Sequence, residues 1–154
     1  MPLYIQPYSR ILGASTSTVT APADTSENIL ATINIPILPT NAHILFRAQT
    51  SQTNNANVKT MRMRLGGIGG TDFWTGTNLA SQARYLFDGF IQNRGATNSQ
   101  AGAFISGATA LASSTITTGA IDTSVATTLV ITAQKATAGD TVTLEHYYVQ
   151  LWLP

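Results

Sequence analysis

The sequence predicts an all-β protein: an antiparallel, eight-stranded jelly-roll β-sandwich with an extended N-terminal arm. Three observations favour this fold class. Short segments of alternating apolar and polar residues recur along the chain, turn-forming residues separate them, and no segment has the spacing of an amphipathic helix. About eight short strands without helices are typical of a sandwich, and the jelly roll is its eight-stranded form. We therefore predict two parts, an arm over residues 1–13 and a single jelly-roll domain over residues 14–154.

The predicted arm contains Pro2 and Pro7, which exclude a helix or a central strand. A frayed terminus is one interpretation of such a segment. A frayed tail rarely carries many apolar side chains, however, and this one does. We therefore predict that the arm attaches to a neighbouring subunit through Leu3, Tyr4, Ile5 and Tyr8.

Seven segments alternate clearly enough to be predicted as strands. They span residues 27–36, 43–51, 58–65, 71–75, 81–93, 123–134 and 140–154. The alternation assigns Ile29 to the inward face of the first segment, and Lys59 to the same face as Met61 in the third. The fifth segment is partly apolar on both faces, which predicts that both faces are covered. Residues 96–121 are small and polar, and we expect one or two weak strands joined by a long loop.

The last segment is the most apolar, which predicts a position in the middle of a sheet. Val142 and Leu144 share one face, whereas the apolar residues from Tyr147 onward have the opposite parity. One extra residue in a strand produces such a change of phase. We therefore predict a β-bulge between Glu145 and Tyr147.

The composition favours an assembly subunit. Charged residues make up 10% of the chain, against about 25% in ordinary soluble domains. The net charge of +1 gives no electrostatic surface for nucleic acid. The chain has no cysteine, no run of about 20 apolar residues for a membrane helix, and no signal-peptide pattern at its start. We expect synthesis in a cytoplasm and no membrane partner.

Nothing in the sequence predicts catalysis. The seven acidic residues form no close pair, and His43 and His146 lack the spacing of metal ligands. No serine lies in a Gly-x-Ser-x-Gly elbow. We therefore expect a protein that is not an enzyme and has no catalytic, cofactor-binding or metal-binding residues.

Five residues are candidates for a contact surface. The two arginines on the outward face of residues 58–65 fit a subunit-facing or solvated strand, and a cationic patch is the alternative. The aromatic candidates fit a core on one side and a subunit contact on the other, with a sugar-stacking platform as the alternative. The candidates are Arg62, Arg64, Trp74, Tyr148 and Trp152.

Three segments carry a resemblance to a known class of protein. They are residues 54–67 (NNANVKTMRMRLGG), 84–96 (RYLFDGFIQNRGA) and 138–151 (AGDTVTLEHYYVQL). In their pattern of strand and turn residues, these segments resemble small virion proteins of tailed bacteriophages with a tumour-necrosis-factor-like jelly roll. The resemblance covers roughly residues 25–153. It implies no shared catalytic residues.

The resemblance implies a homo-oligomer, usually a trimer, on a phage particle made in the host bacterial cytoplasm. A dimer remains open. We expect a capsid decoration or cement protein on the capsid surface, held there by oligomeric jelly-roll contacts and by the arm over residues 1–13, with the major capsid protein as its partner. The alternative is a receptor-binding, glycan-binding tip of a tail or head fibre. The chain has no heptads or repeats that would form a fibre shaft, which favours decoration.

Overall fold

The computed structural model describes residues 8–78, 82–106 and 116–154 of the 154-residue chain. Over these ranges the chain forms eleven strands and no helix. In chain order the strands are β1 (Tyr8–Ser15), β2 (Val19–Thr20), β3 (Asn28–Ile35), β4 (His43–Gln52), β5 (Lys59–Leu65), β6 (Thr71–Asn78), β7 (Arg84–Asn93), β8 (Gln100–Ser106), β9 (Thr117–Gly119), β10 (Thr127–Lys135) and β11 (Val142–Leu153).

The strands form two antiparallel sheets with a core between them. The larger sheet has the order β1-β11-β4-β7-β8-β9, with β2 also paired to β11, and the smaller has the order β3-β10-β5-β6. Four strands of the larger sheet (β1, β11, β4 and β7) and the four of the smaller make up a jelly roll. The predicted fold class is confirmed. The predicted count of eight strands was too low, because the residues of β1 were assigned to the arm or to the segment after it, β2 has only two residues, and β8 and β9 were expected as one or two weak strands.

Strand β11 lies inside the larger sheet, as predicted, between β1 and β4. Its register against β4 shifts between Leu144 and His146, which leaves Glu145 as the extra residue of a β-bulge. The shift allows Val142 and Leu144 before the bulge, and Val149 after it, to face the same core. The predicted bulge is confirmed.

A second irregularity changes the inward face of β3. The register of β10 against β3 shifts so that Ile131 is opposite Ala31 and Thr132 is opposite Ile29. Leu30 is the extra residue and is buried, whereas Ile29 is 45% exposed. The prediction that Ile29 faces inward was therefore wrong, because simple alternation does not include the bulge.

The core consists of apolar side chains from the inward faces of both sheets. The ring of Trp74 from β6 stacks on that of Phe87 from β7, with centroids 4.0 Å apart and planes 11° apart. Stacking of two aromatic rings adds to the stability gained from burial alone. The largest fully buried apolar side chains are Trp74, Phe73, Phe87, Ile35, Ile44, Met61, Met63, Leu65, Ile91, Leu129 and Ile131.

The small residues of β8 and β9 leave room for an aromatic ring. Phe73 of β6 is buried against this edge of the larger sheet. A Cβ atom on Gly102 or on Gly119 would lie 2.6 Å from a carbon of that ring. The weak strands predicted in residues 96–121 are thus β8 and β9, and residues 107–115 of the predicted loop lie outside the described residues.

The first described residues correct the predicted arm. Tyr8–Ser15 form β1, which pairs antiparallel with β11 from Tyr8 opposite Leu153 to Ser15 opposite Tyr147. The predicted arm over residues 1–13 therefore includes six residues that belong to a sheet. An edge strand can tolerate Pro7 just before it, because proline interrupts only central pairing. Residues 1–7, with Leu3, Tyr4 and Ile5, lie outside the described residues.

Candidate interaction surface

Apolar side chains are exposed on the outer face of the larger sheet, where β4, β7 and β11 lie side by side. Since side chains alternate along a strand, the residues next to the buried row point outward. Leu45 of β4 is 44% exposed and Phe90 of β7 is 36% exposed, and these two residues are directly opposite each other. Tyr148 and Trp152 of β11 are partly exposed on the same face.

Neighbouring strands bring these side chains into one continuous group. Trp152 is opposite His43 in the register, and their rings meet edge to face with centroids 5.0 Å apart. A shallow cleft at this end is lined by both rings together with Leu45 and Phe90. We call this group the outer aromatic surface and define it as His43, Leu45, Phe90, Tyr148 and Trp152.

Polar groups lie beside the outer aromatic surface. Arg47 and Asp88 form an ion pair across β4 and β7, with 2.6 Å between Nη2 and Oδ2. Both residues line a second shallow cleft, together with Tyr148, His146 and Gln150. The surface thus combines exposed rings with a charged pair and side-chain amides at its margin.

The outer aromatic surface unites two of the five predicted contact residues, Tyr148 and Trp152. The third aromatic candidate, Trp74, is 1% exposed and lies in the core. Its prediction as an interface residue was wrong. Trp74 occupies the inward face of β6, and the sequence around it alternates too briefly to show which face is inside.

Arg62 and Arg64 lie on the outer face of the smaller sheet, away from the outer aromatic surface. Both bridge two carboxylates. Arg64 binds Glu27 through Nε at 2.9 Å and faces Asp72 at 3.3 Å, and Arg62 lies 3.4 and 3.5 Å from the same two carboxyl groups. The two arginines are about 18% exposed, so they form part of an ion cluster and are not an open cationic patch.

The ion cluster shifts the pKa values of its two carboxyl groups in opposite directions. Burial opposes ionisation of Glu27, but hydrogen bonds from Arg64 and Thr132 and the charge of Arg62 outweigh it, so the pKa of Glu27 lies below its ordinary value. Burial dominates at Asp72, and its pKa is raised despite the attraction of Arg64 and Arg62. Hydrogen bonding to Glu27 also raises the pKa of Arg64.

Sequence reasoning missed three members of the outer aromatic surface, His43, Leu45 and Phe90. The signal was the two-sided apolarity of β7, which we interpreted as burial on both faces. The structure leaves the outer face open, with Leu86 46% exposed beside Phe90. That interpretation was wrong for the isolated chain, since β7 carries apolar residues on a face that no other part of the described chain covers.

Tyr8, the one predicted attachment residue of the arm that lies within the described ranges, is at the start of β1. It is 51% exposed and pairs with Leu153. Within the described ranges, no three His, Asp or Glu side chains lie close enough to hold a metal ion. The same ranges contain no helix long and apolar enough to cross a membrane.

No protein-family model matches the chain, and no curated protein matches it. Solved structures share the general fold at low identity. A structure of the infectious bursal disease virus Gx strain matches with a TM-score of 0.42 and 10% identity, over 96% of this chain and 32% of that one. This chain therefore spans about a third of the length of that viral protein.

Two further matches cover nearly whole chains. The CBM2 module of the evolved Dit of Lactobacillus casei BL23 phage J-1 matches with a TM-score of 0.45 and 11% identity, over 95% of this chain and 97% of that one. Winged bean acidic lectin complexed with methyl-alpha-D-galactose matches with a TM-score of 0.42 and 10% identity, over 100% and 96% of the two chains.

Proposed function

We propose that this chain is a non-enzymatic structural protein of a phage particle, which assembles into oligomers through the outer aromatic surface. The observation that carries the proposal is the exposure of Leu45, Phe90, Tyr148 and Trp152 on three adjacent strands. Contiguous exposed apolar groups in a soluble chain mark contact sites. Aromatic enrichment with few charges is typical of the centre of a protein interface.

The low charge of the chain supports the same proposal. Only 10% of the residues are charged, and several of these charges are used internally, in the ion cluster and in pairs such as Arg47 with Asp88. Little net charge remains to keep copies apart in solution. A trimer is the expected oligomer, following the resemblance, with a dimer as the alternative.

The oligomer can be tested by sedimentation equilibrium on matched variants. Leu45→Glu places a charge in the centre of the outer aromatic surface and should convert the oligomer to monomers. Ile37→Glu is the control, because Ile37 is 66% exposed in the connection after β3, outside that surface. A monomeric wild type, or equal effects of the two variants, would refute assembly through this surface.

Placement on the particle is tested by copy number. We propose that the chain decorates or cements the capsid surface, with the major capsid protein as partner and with residues 1–7 as the attachment element. Quantitative mass spectrometry of purified particles should then give hundreds of copies relative to the major capsid protein. A dozen copies or fewer would contradict decoration and favour a tail or vertex position.

A glycan-binding tip is the second candidate function. Exposed rings with adjacent hydrogen-bonding groups suit stacking and orientation of a sugar, and Trp152, Gln92 and His43 line one cleft together. A glycan array on the isolated protein tests this alternative. Glycan binding that is lost in Trp152→Ala and kept in Ile37→Glu would support this function, whereas no binding to any glycan would count against it.

A further inference from the structure

Both lysines of the chain are buried in one corner of the sandwich. Lys59 and Lys135 are the two lysines of the sequence, and they are 1% and 2% exposed. Lysines are almost never fully buried without partners. The Nζ atom of Lys135 donates hydrogen bonds to main-chain oxygens, at 2.6 Å to Pro22 and 2.9 Å to Asp140. Lys135 therefore has the surroundings of a structural cation.

Lys59 also donates to a main-chain oxygen, that of Asn57 at 3.0 Å, but its other neighbours are side chains. Its Nζ atom contacts the side-chain oxygen Oδ1 of Asn55 and lies 3.2 Å from Oδ2 of Asp140. The side-chain nitrogen of Asn55 donates to the other carboxylate oxygen of Asp140 at 2.7 Å. An amine, a carboxamide and a carboxylate thus form a closed triangle in which each group contacts the other two.

The carboxamide of Asn55 is oriented by the main chain as well. The backbone N–H of Asn57 donates to Oδ1 of Asn55 at 3.0 Å. A donor on this oxygen polarises the carbonyl and would stabilise negative charge that develops there when a nucleophile attacks Cγ. Lys59 and Asp140 are 1% and 5% exposed, so little water reaches the amine and the carboxylate, whereas Asn55 is partly exposed.

We propose that the amine of Lys59 attacks Cγ of Asn55 and forms an intramolecular amide bond, with Asp140 as the catalytic proton carrier. The ammonium first transfers a proton to the Asp140 carboxylate, which leaves a neutral amine. Attack forms the Nζ–Cγ bond and a tetrahedral intermediate. One of the two remaining amine protons and the Asp140 proton pass to the side-chain nitrogen of Asn55, which leaves as an ammonium ion and restores the carboxylate.

The step balances without any co-reactant. Ammonium, carboxamide and carboxylate enter, and an amide, an ammonium ion and the same carboxylate leave. The reacting groups are already held together, which supplies the effective concentration that an uncatalysed amine and amide lack. The hydrogen bond from Asn55 lowers the pKa of Asp140, so this group is the carboxylate before the reaction begins.

The bond would close the connection between β4 and β5 into a ring over residues 55–59. That ring would lie against the turn between β10 and β11, where Asp140 contacts both reacting side chains. Lys135 lies next to the same turn but contacts no carboxamide, so it keeps a free amine and serves as an internal comparison.

Mass spectrometry of the denatured full-length chain tests the proposal. The expected mass is that of the sequence less one ammonia. Trypsin should then leave residues 48–62 as one peptide that lacks one ammonia and is uncut after Lys59, while cutting after Lys135. Resistance after Lys59 distinguishes the amide from a succinimide at Asn55, which also loses ammonia but leaves Lys59 cleavable.

Two variants test which side chains take part in the reaction. Asp140→Asn should restore the full sequence mass and cleavage after Lys59, because the proton carrier is gone. Lys135→Arg should keep the ammonia loss. A wild-type chain of full mass that is cut after Lys59 overturns the proposal, and this reading does not depend on whether a variant folds. Loss of water in place of ammonia would put the bond on Asp140 and overturn the role of Asn55.

Discussion

The two tryptophans of the chain occupy opposite environments. Trp74 is enclosed in the core against Phe87, whereas Trp152 lies at the surface beside His43. We predict that Trp74→Ala lowers the free energy of unfolding by about 3–5 kcal/mol, because it removes a large buried ring and leaves a cavity. Trp152→Ala should cost less than about 1 kcal/mol in the monomer.

Urea denaturation monitored by circular dichroism measures both changes. It should be performed in the Leu45→Glu background, so that assembly does not contribute to the stability of either variant. Equal losses for Trp74→Ala and Trp152→Ala would contradict the assignment of one ring to the core and the other to the surface.

The ion cluster predicts how stability responds to acid. The folded pKa of Glu27 lies below its ordinary value of 4.5, so ionised Glu27 stabilises the fold above pH 4.5. This contribution is lost as the pH falls through the folded pKa. The contribution of Asp72 to stability changes with pH in the opposite direction. Its raised pKa means that the folded state binds a proton more tightly than the unfolded state does.

Two neutral substitutions separate these contributions. Between pH 3 and 7, Glu27→Gln should flatten the acid-induced loss of stability and cost about 2 kcal/mol at neutral pH, where charged hydrogen bonds are lost. Asp72→Asn should steepen the acid-induced loss. Urea titrations at several pH values measure the dependence of stability on pH for the wild type and both variants. Changes of the same sign relative to the wild type would contradict the opposite shifts in pKa.

At the residue scale the sequence shows which side chains alternate, but it does not show what lies across the sheet. The sequence assigns Lys59 to the same face of its strand as Met61, and both side chains are buried in the structure. Its partners, Asn55 and Asp140, are 85 residues apart in the chain. Their meeting depends on the register of the folded sandwich, which no local pattern contains.

At the scale of single elements, the bulge in β11 decides which side chains reach the core. We predict that deletion of Glu145 prevents native folding, because removal of one residue turns Tyr147, Val149 and Leu151 to the opposite face. Glu145→Ala should fold, since it removes a side chain that contacts Ser51 and keeps the extra residue. Near-ultraviolet circular dichroism of the soluble fraction compares the two.

A deletion variant with a native spectrum would mean that β11 can slip into register without the bulge. The sequence predicted this bulge because both halves of β11 are long and apolar enough to show their parity. The bulge at Leu30 was missed because β3 has apolar residues at both Ile29 and Leu30, so either parity fits the pattern.

At the scale of the whole molecule, β1 divides the N-terminal segment into two parts with different roles. We predict that deletion of residues 2–7 changes the melting midpoint by less than about 3 °C, whereas deletion of residues 2–15 lowers it by about 10 °C. The longer deletion removes the pairing of β1 with β11, and 1 kcal/mol corresponds to about 2–4 °C in a chain of this size.

Differential scanning calorimetry measures these midpoints, and binding of each form to capsids tests attachment. The shorter deletion should leave a folded oligomer that no longer binds, which makes it the informative variant. Unchanged capsid binding after this deletion would remove residues 1–7 from the attachment element.

The fold class, the central position of β11 and two residues of the outer aromatic surface could be predicted from the sequence. The rest of that surface could not, because β7 shows the same two-sided apolarity whether its outer face meets another layer of this chain or a second molecule. Only the arrangement of both sheets shows that the described chain leaves this face uncovered.

The burial of both lysines has a practical consequence for handling the protein. Reagents that acylate primary amines will find no accessible lysine on the folded chain, so fluorophores and amine-reactive crosslinkers will attach only at a free α-amino group. The chain has no cysteine. A single cysteine introduced at an exposed site such as Ile37 would therefore be a unique handle for labelling, at a position of the experimenter's choice.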